Sequence, residues 1–154
     1  MNAARPEQPE TQKHRELRDT VWDSLPSWSR FIVGVDGRDG AGKSTVARYL
    51  AWQLGMPAIE LDTFIDRSRE GYALREEELR RVLDSRLELD RPVIVEGLFV
   101  LQVLARLSLE PDFLVVVEQS GNTGSFTFSD EFEKYESEYR PKEQCQFEFT
   151  WHAD

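Results

Sequence analysis

Apolar positions along this chain fall into two kinds of segment. Phe31-Ile32-Val33-Gly34-Val35, Val93-Ile94-Val95 and Phe113-Leu114-Val115-Val116-Val117 are unbroken runs without polar alternation, as expected of strands covered on both faces. Between them the apolar residues recur at helical spacing. They are Val46, Ala47, Leu50 and Leu54 in a helix from Lys43 to Leu54, and Leu79, Val82, Leu83 and Leu87 in one from Arg75 to Leu89. A third helix runs from Leu98 to Leu107. Pro57 to Leu61 reads as a short second strand, Gly55 stops the first of these helices, and Asp90-Arg91-Pro92 ends the second. Alternating strands and helices of this kind predict a parallel sheet with helices on both faces, a three-layer α/β domain.

The flanks are less regular. Residues 1–15 read as a disordered tail and 16–154 as a single domain. Leu17, Val21, Trp22 and Leu25 predict an amphipathic helix over Arg15 to Leu25, broken by Pro26-Ser27-Trp28-Ser29. Beyond Glu118 a polar, glycine-rich stretch reaches Ser129, followed by a helix from Asp130 to Tyr139 and a last strand from Gln146 to Trp151. Phe126, Phe128, Phe132, Tyr135 and Tyr139 are interleaved with acidic rather than basic residues, so core packing is expected of them in preference to base stacking.

At 154 residues with 40% hydrophobic content, the chain is long enough for one core and too short for a second substrate domain. A formal charge of −10 and a pI near 4.8 argue against nucleic acid or an anionic membrane as partner. Any phosphate must therefore be held by a local site. Cys145 is the single cysteine, so no intramolecular disulfide forms, and a reducing, cytoplasmic setting is the expectation. The first residues lack the apolar core of a signal peptide, and no stretch resembles a membrane span.

Candidate chemistry is concentrated after the first strand. Gly37-Arg38-Asp39-Gly40-Ala41-Gly42-Lys43-Ser44 has the Gly-x-x-x-x-Gly-Lys-Ser spacing, and it lies between a strand and a helix as the motif requires. Glycines let the backbone wrap phosphates, so that N–H groups and the helix N-terminus point at the anion. Lys43 is expected to meet the β- and γ-phosphates of ATP, Ser44 to ligate Mg²⁺, and Thr45 to add a phosphate contact. Arg38 and Asp39 are expected to be solvated loop positions.

Ligands of open parallel sheets bind at the carboxyl ends of the strands. Asp62 follows the second strand and Glu96 ends the third. Phosphoryl transfer needs a metal, positive charge and a carboxylate that orients or deprotonates the acceptor hydroxyl. Asp62 fits the acceptor side and Glu96 the metal side. Alone, Asp62 reads equally as a helix cap and Glu96 as a turn carboxylate. His14 and His152, near the two ends, are not expected to act as bases.

Gly34-Val35-Asp36-Gly37 through Thr45, then Asp62-Thr63-Phe64, then Val95-Glu96-Gly97-Leu98, in this order, resemble the uridine kinase family of P-loop kinases. The resemblance spans Phe31 to Val117, with an echo at Tyr139-Arg140-Pro141-Lys142-Glu143. It implies a P-loop NTPase fold with a five-stranded, mainly parallel sheet in the order 2-3-1-4-5. It also implies transfer of the γ-phosphoryl of Mg-ATP to a hydroxyl of a small acceptor such as a nucleoside. Asp62 becomes the acceptor-activating aspartate, Phe64 an aromatic wall of the acceptor pocket, and Glu96 the metal or acceptor carboxylate. Arg67 and Tyr72 are further candidates on the acceptor side.

The sequence departs from that family in one respect. Its arginine-rich lid is missing: Glu118 to Tyr139 contains no arginine, and Lys134 is its single basic residue. Either Arg67, Arg69 or Arg140 substitutes, or the chain is a nucleotide-binding regulatory module that turns over little ATP.

Overall fold

The computed structural model describes residues 10–120 and 128–151. Strands β1 (Phe31–Asp36), β2 (Ala58–Glu60), β3 (Pro92–Glu96), β4 (Phe113–Gln119) and β5 (Phe147–Trp151) form one sheet in the order β2-β3-β1-β4-β5. Every pairing is parallel. The order matches the one implied by the resemblance, and the sheet is parallel throughout rather than mainly so. β1 and β3 are buried at every position, which explains why their sequences show no alternation.

Successive strand residues point to opposite faces, and the helices divide accordingly. On one face, α1 (Gln12–Ser24) and α2 (Lys43–Leu54) bring Leu17, Val21, Val46 and Leu50 against Val33, Val115 and Phe149. On the other, α3 (Glu76–Leu87), α4 (Val100–Arg106) and α5 (Ser129–Tyr139) bring Leu83, Leu104 and Phe132 against Ile32, Val93 and Val116. A 3-10 turn (Leu61–Phe64) follows β2, and the short α6 (Pro141–Gln144) precedes β5. Among the described residues no helix is long and apolar enough to cross a membrane.

Two expectations need correction. The first helix begins at Gln12, not Arg15, because Thr11 and His14 form a reciprocal capping box and His14 is buried. The tail expected through residue 15 is therefore helical from Gln12 onward, while residues 1–9 lie outside the described set, as do Phe126 and His152. Val82 is 42% exposed rather than inward, whereas Leu79, Leu83 and Leu87 form a single buried stripe along α3. Spacing of four puts those three leucines on one line, and Val82 falls one step beside it.

Leu83→Ala is expected to cost about 2–5 kcal/mol and Val82→Ala less than about 1 kcal/mol in urea unfolding. Equal losses would contradict the placement of this helix.

Candidate functional site

β1 ends at Asp36 and α2 begins at Lys43, so residues 37–42 must turn within the space between a central strand and a helix. Gly42, the N-cap of α2, has φ 94° and no side chain caps this helix. Its first-turn N–H groups are thus left for an anion. A Cβ at Gly42 would lie 2.5 Å from Trp151 Nε1. One at Gly37, where φ is 154°, would collide with the carbonyl oxygen of Val117. Both positions require glycine, as a cradle for phosphate does.

Lys43 is 7% exposed, and its Nζ donates to the carbonyl oxygen of Arg38 at 2.7 Å. Burial lowers its pKa, opposed by the charges of Glu96, Asp36, Asp39 and Asp62. The next residue, Ser44, donates from Oγ to Glu96 Oε1 at 2.9 Å. Glu96 is 2% exposed. Burial raises its pKa, the Ser44 bond and Lys43 oppose this, and Asp62 and Glu60 add to it. Strand register explains the grouping, since Glu96 pairs with Val35 of β1 on one side and Glu60 of β2 on the other.

Asp62 is exposed on the 3-10 turn, where Tyr72 Oη donates to its Oδ1 at 3.3 Å. Tyr72 packs edge-on against Phe99 and Phe128, and Phe64 is half-buried against the same core. Lys43, Ser44, Glu96, Asp62 and Tyr72 are thus brought to one end of the sheet. Among the described residues no cluster of three or more His, Cys, Asp or Glu forms a metal cage. One hydroxyl beside one carboxylate suits a Mg²⁺ that keeps waters and arrives with phosphates.

Other predicted residues stand elsewhere. Asp39, Gly40 and Ala41 belong to the loop, with Asp39 half-buried, while Thr45 in the first turn of α2 is exposed. Arg38 is not simply solvated: its guanidinium lies 5.1 Å from the Phe132 ring centroid and 3.7 Å from Glu136 Oε1. Arg67 and Arg69 are exposed in the turn after residue 64, and Arg140 is exposed and paired with Glu143 at 3.6 Å. Lys134 pairs with Glu138 at 4.0 Å.

Two clefts flank the site. One of about 470 Å³, beside the loop, is lined by Gly37, Arg38, Val117, Phe132, Pro141 and Lys142. Lys142 is ion-paired with Glu118 there. A second, of about 350 Å³, is lined by Tyr72, Phe99, Gln102, Phe128, Lys134 and Tyr135.

Asp36 has no role that the sequence patterns assign to it. It is completely buried, accepts from Gly37 N–H at 2.9 Å, and accepts from Tyr135 Oη at 2.6 Å. Burial pushes its pKa up to about 6 against these two hydrogen bonds and Lys43, with Glu136 adding to the rise. An acid closing an otherwise apolar strand was the available signal.

A five-stranded parallel sheet with this strand order, a glycine loop after β1 and helices on both faces decides the fold. The protein has the fold of the P-loop kinases. The shikimate kinase family model matches residues 39–78, from inside the loop to the start of α3. The structure is similar to that of a possible uridine kinase from Bacillus stearothermophilus, with TM-score 0.64 and 16% identity over 89% of this chain and 97% of that one. It is also similar to the kinase domain of the Escherichia coli tyrosine kinase ETK, with TM-score 0.52 and 13% identity over 97% and 83%. No curated protein matches the sequence. This P-loop kinase fold is what places Lys43 and the strand-end carboxylates together.

Asp36 binds its proton more tightly when folded, since its pKa rises from 3.8 to about 6. Its contribution to stability is therefore full below the unfolded value and is lost as pH rises through about 6. Relative to Asp36→Asn, the native protein should lose about 3 kcal/mol of unfolding free energy between pH 3.5 and pH 7. Urea unfolding of both proteins across that range checks this, and parallel curves would show that Asp36 does not titrate there.

Proposed function

We propose that this protein is a small-molecule kinase of the uridine kinase type, moving the γ-phosphoryl group of Mg-ATP to a hydroxyl of a small acceptor, with nucleosides as the first class to test. The observation that carries the reading is the convergence of Lys43, the Ser44–Glu96 pair and Asp62 at one end of the sheet. Lys43 exchanges the Arg38 carbonyl for phosphate oxygens and offsets charge on the group in transfer. Residues 37–45 hold the phosphates. Ser44 and Glu96 would hold Mg²⁺, which would supply positive charge beside the phosphates.

Asp62 takes the acceptor hydroxyl, and its exposed setting leaves it accessible to that substrate. Phe64 and Tyr72 wall the acceptor side, with Arg67 near its entrance and Glu96 facing it from the metal side. Tyr72 also orients Asp62 through its hydroxyl. A cytoplasmic setting accords with substrates of this class and with the single cysteine, Cys145.

A second reading draws on one specific feature, the lack of arginine from Glu118 to Tyr139. Arg38 and Arg140, the arginines flanking that segment's helix, are each paired with a glutamate. A protein of that kind would bind ATP as a regulatory module and transfer little.

The deciding experiment measures ADP release from Mg-ATP against pooled nucleosides, vitamins and sugars. Acceptor-dependent release is expected, reduced about 10²–10³-fold in Lys43→Ala and about 10²–10⁴-fold in Asp62→Asn. Full activity in Asp62→Asn would remove Asp62 from the mechanism. Tight ATP binding with no release in any pool would favour the module.

A further inference from the structure

Asp36 is a buried carboxylate that phosphoryl transfer leaves without a task. Its two oxygens are divided between two elements: Oδ1 accepts the N–H of Gly37, the first loop residue, at 2.9 Å, and Oδ2 accepts the hydroxyl of Tyr135, on α5, at 2.6 Å. The same hydroxyl accepts the N–H of Leu101, in the first turn of α4, at 3.2 Å. A continuous buried chain of hydrogen bonds therefore joins loop, α5 and α4. A more exposed link runs beside it, with Arg38 against Phe132 and Glu136. Residues 132, 135 and 136, spaced three and four apart on one face of α5, thus grip residues 36–38.

This helix also stands between the two clefts. Phe132 and Glu136 line the one beside the loop, whereas Glu131, Lys134, Tyr135 and Glu138 line the one containing Tyr72. Tyr72 in turn holds Asp62. Whatever fixes residues 36–38 must therefore bias where α5 sits, and α5 shapes the wall behind the residue that orients Asp62.

We propose that Asp36 and Tyr135 are positioning residues that fasten the phosphate loop to α5, so that nucleotide at the loop sets the placement of this helix and of the acceptor-side wall. The inference rests on the nucleotide-binding reading above. Linkage makes the effect reciprocal: a helix held in place favours the binding shape of the loop by the same factor that the nucleotide favours the helix.

The test is amide hydrogen exchange on the full chain with and without Mg-ADP, alongside the Kd for Mg-ADP by calorimetry. In the wild type, Mg-ADP is expected to slow exchange in α5 as well as in the first turn of α2. Tyr135→Phe keeps the ring and its packing but removes the hydroxyl. It should bind Mg-ADP about fivefold or more weakly and lose the response in α5 while keeping it in α2. Asp36→Leu, which leaves no buried charge, breaks the link from the other end and should behave alike. Asp36→Asn keeps an acceptor for Gly37 N–H and a partner for Tyr135, and should retain the α5 response.

A full α5 response in Tyr135→Phe and Asp36→Leu overturns the proposal. So does a wild-type α5 indifferent to Mg-ADP while α2 is protected. Absence of Mg-ADP binding to the wild type overturns the nucleotide reading itself, and this inference with it.

Discussion

Three ionisable groups, Lys43, Glu96 and Asp36, are buried within one end of a parallel sheet, and the arrangement of everything near them follows from the need to offset that burial. An unpaired buried charge is costly, so each has a fixed polar partner: Lys43 the Arg38 carbonyl, Glu96 the Ser44 hydroxyl, Asp36 the Tyr135 hydroxyl and the Gly37 amide. These partners come from the loop, from α2 and from α5. Burial of charge here organises three elements around one polar site. The raised pKa values of both carboxylates reflect the same tension.

Such a site is poised to exchange partners. The bond from Lys43 to the Arg38 carbonyl closes the loop on itself, and phosphate oxygens offer the lysine a stronger, charge-assisted partner. The Ser44–Glu96 bond likewise occupies two groups that suit a hard cation. These two pairings engage the same groups that a nucleotide and its metal would use under the proposed function.

Much of this was legible in the sequence because it is local. Glycine and lysine spacing after an apolar run marks the loop, and the ends of the second and third predicted strands point to Asp62 and Glu96. The parallel sheet followed from strands without alternation. What escaped was set by distant partners. Tyr135 has helical spacing that marks it as core, and it is core, but nothing local reveals that its hydroxyl meets Asp36 at a separation of 99 residues. Arg38 looked like a solvated loop residue because the face that receives it belongs to α5. Val82 failed for a different reason, since spacing places an apolar stripe but does not fix its width.

The back of the loop carries an indole. Trp151 Nε1 is buried without a hydrogen-bond partner among the described residues, against the position where any side chain at residue 42 would stand. Trp22, Trp28 and Trp52 are 57%, 39% and 77% exposed. Of the four tryptophans in the chain, three face water and one presses its ring nitrogen against the glycine loop at Gly42. The molecule therefore carries its own optical reporter: an indole whose ring nitrogen lies buried against the loop, so that a change in the loop reaches it directly.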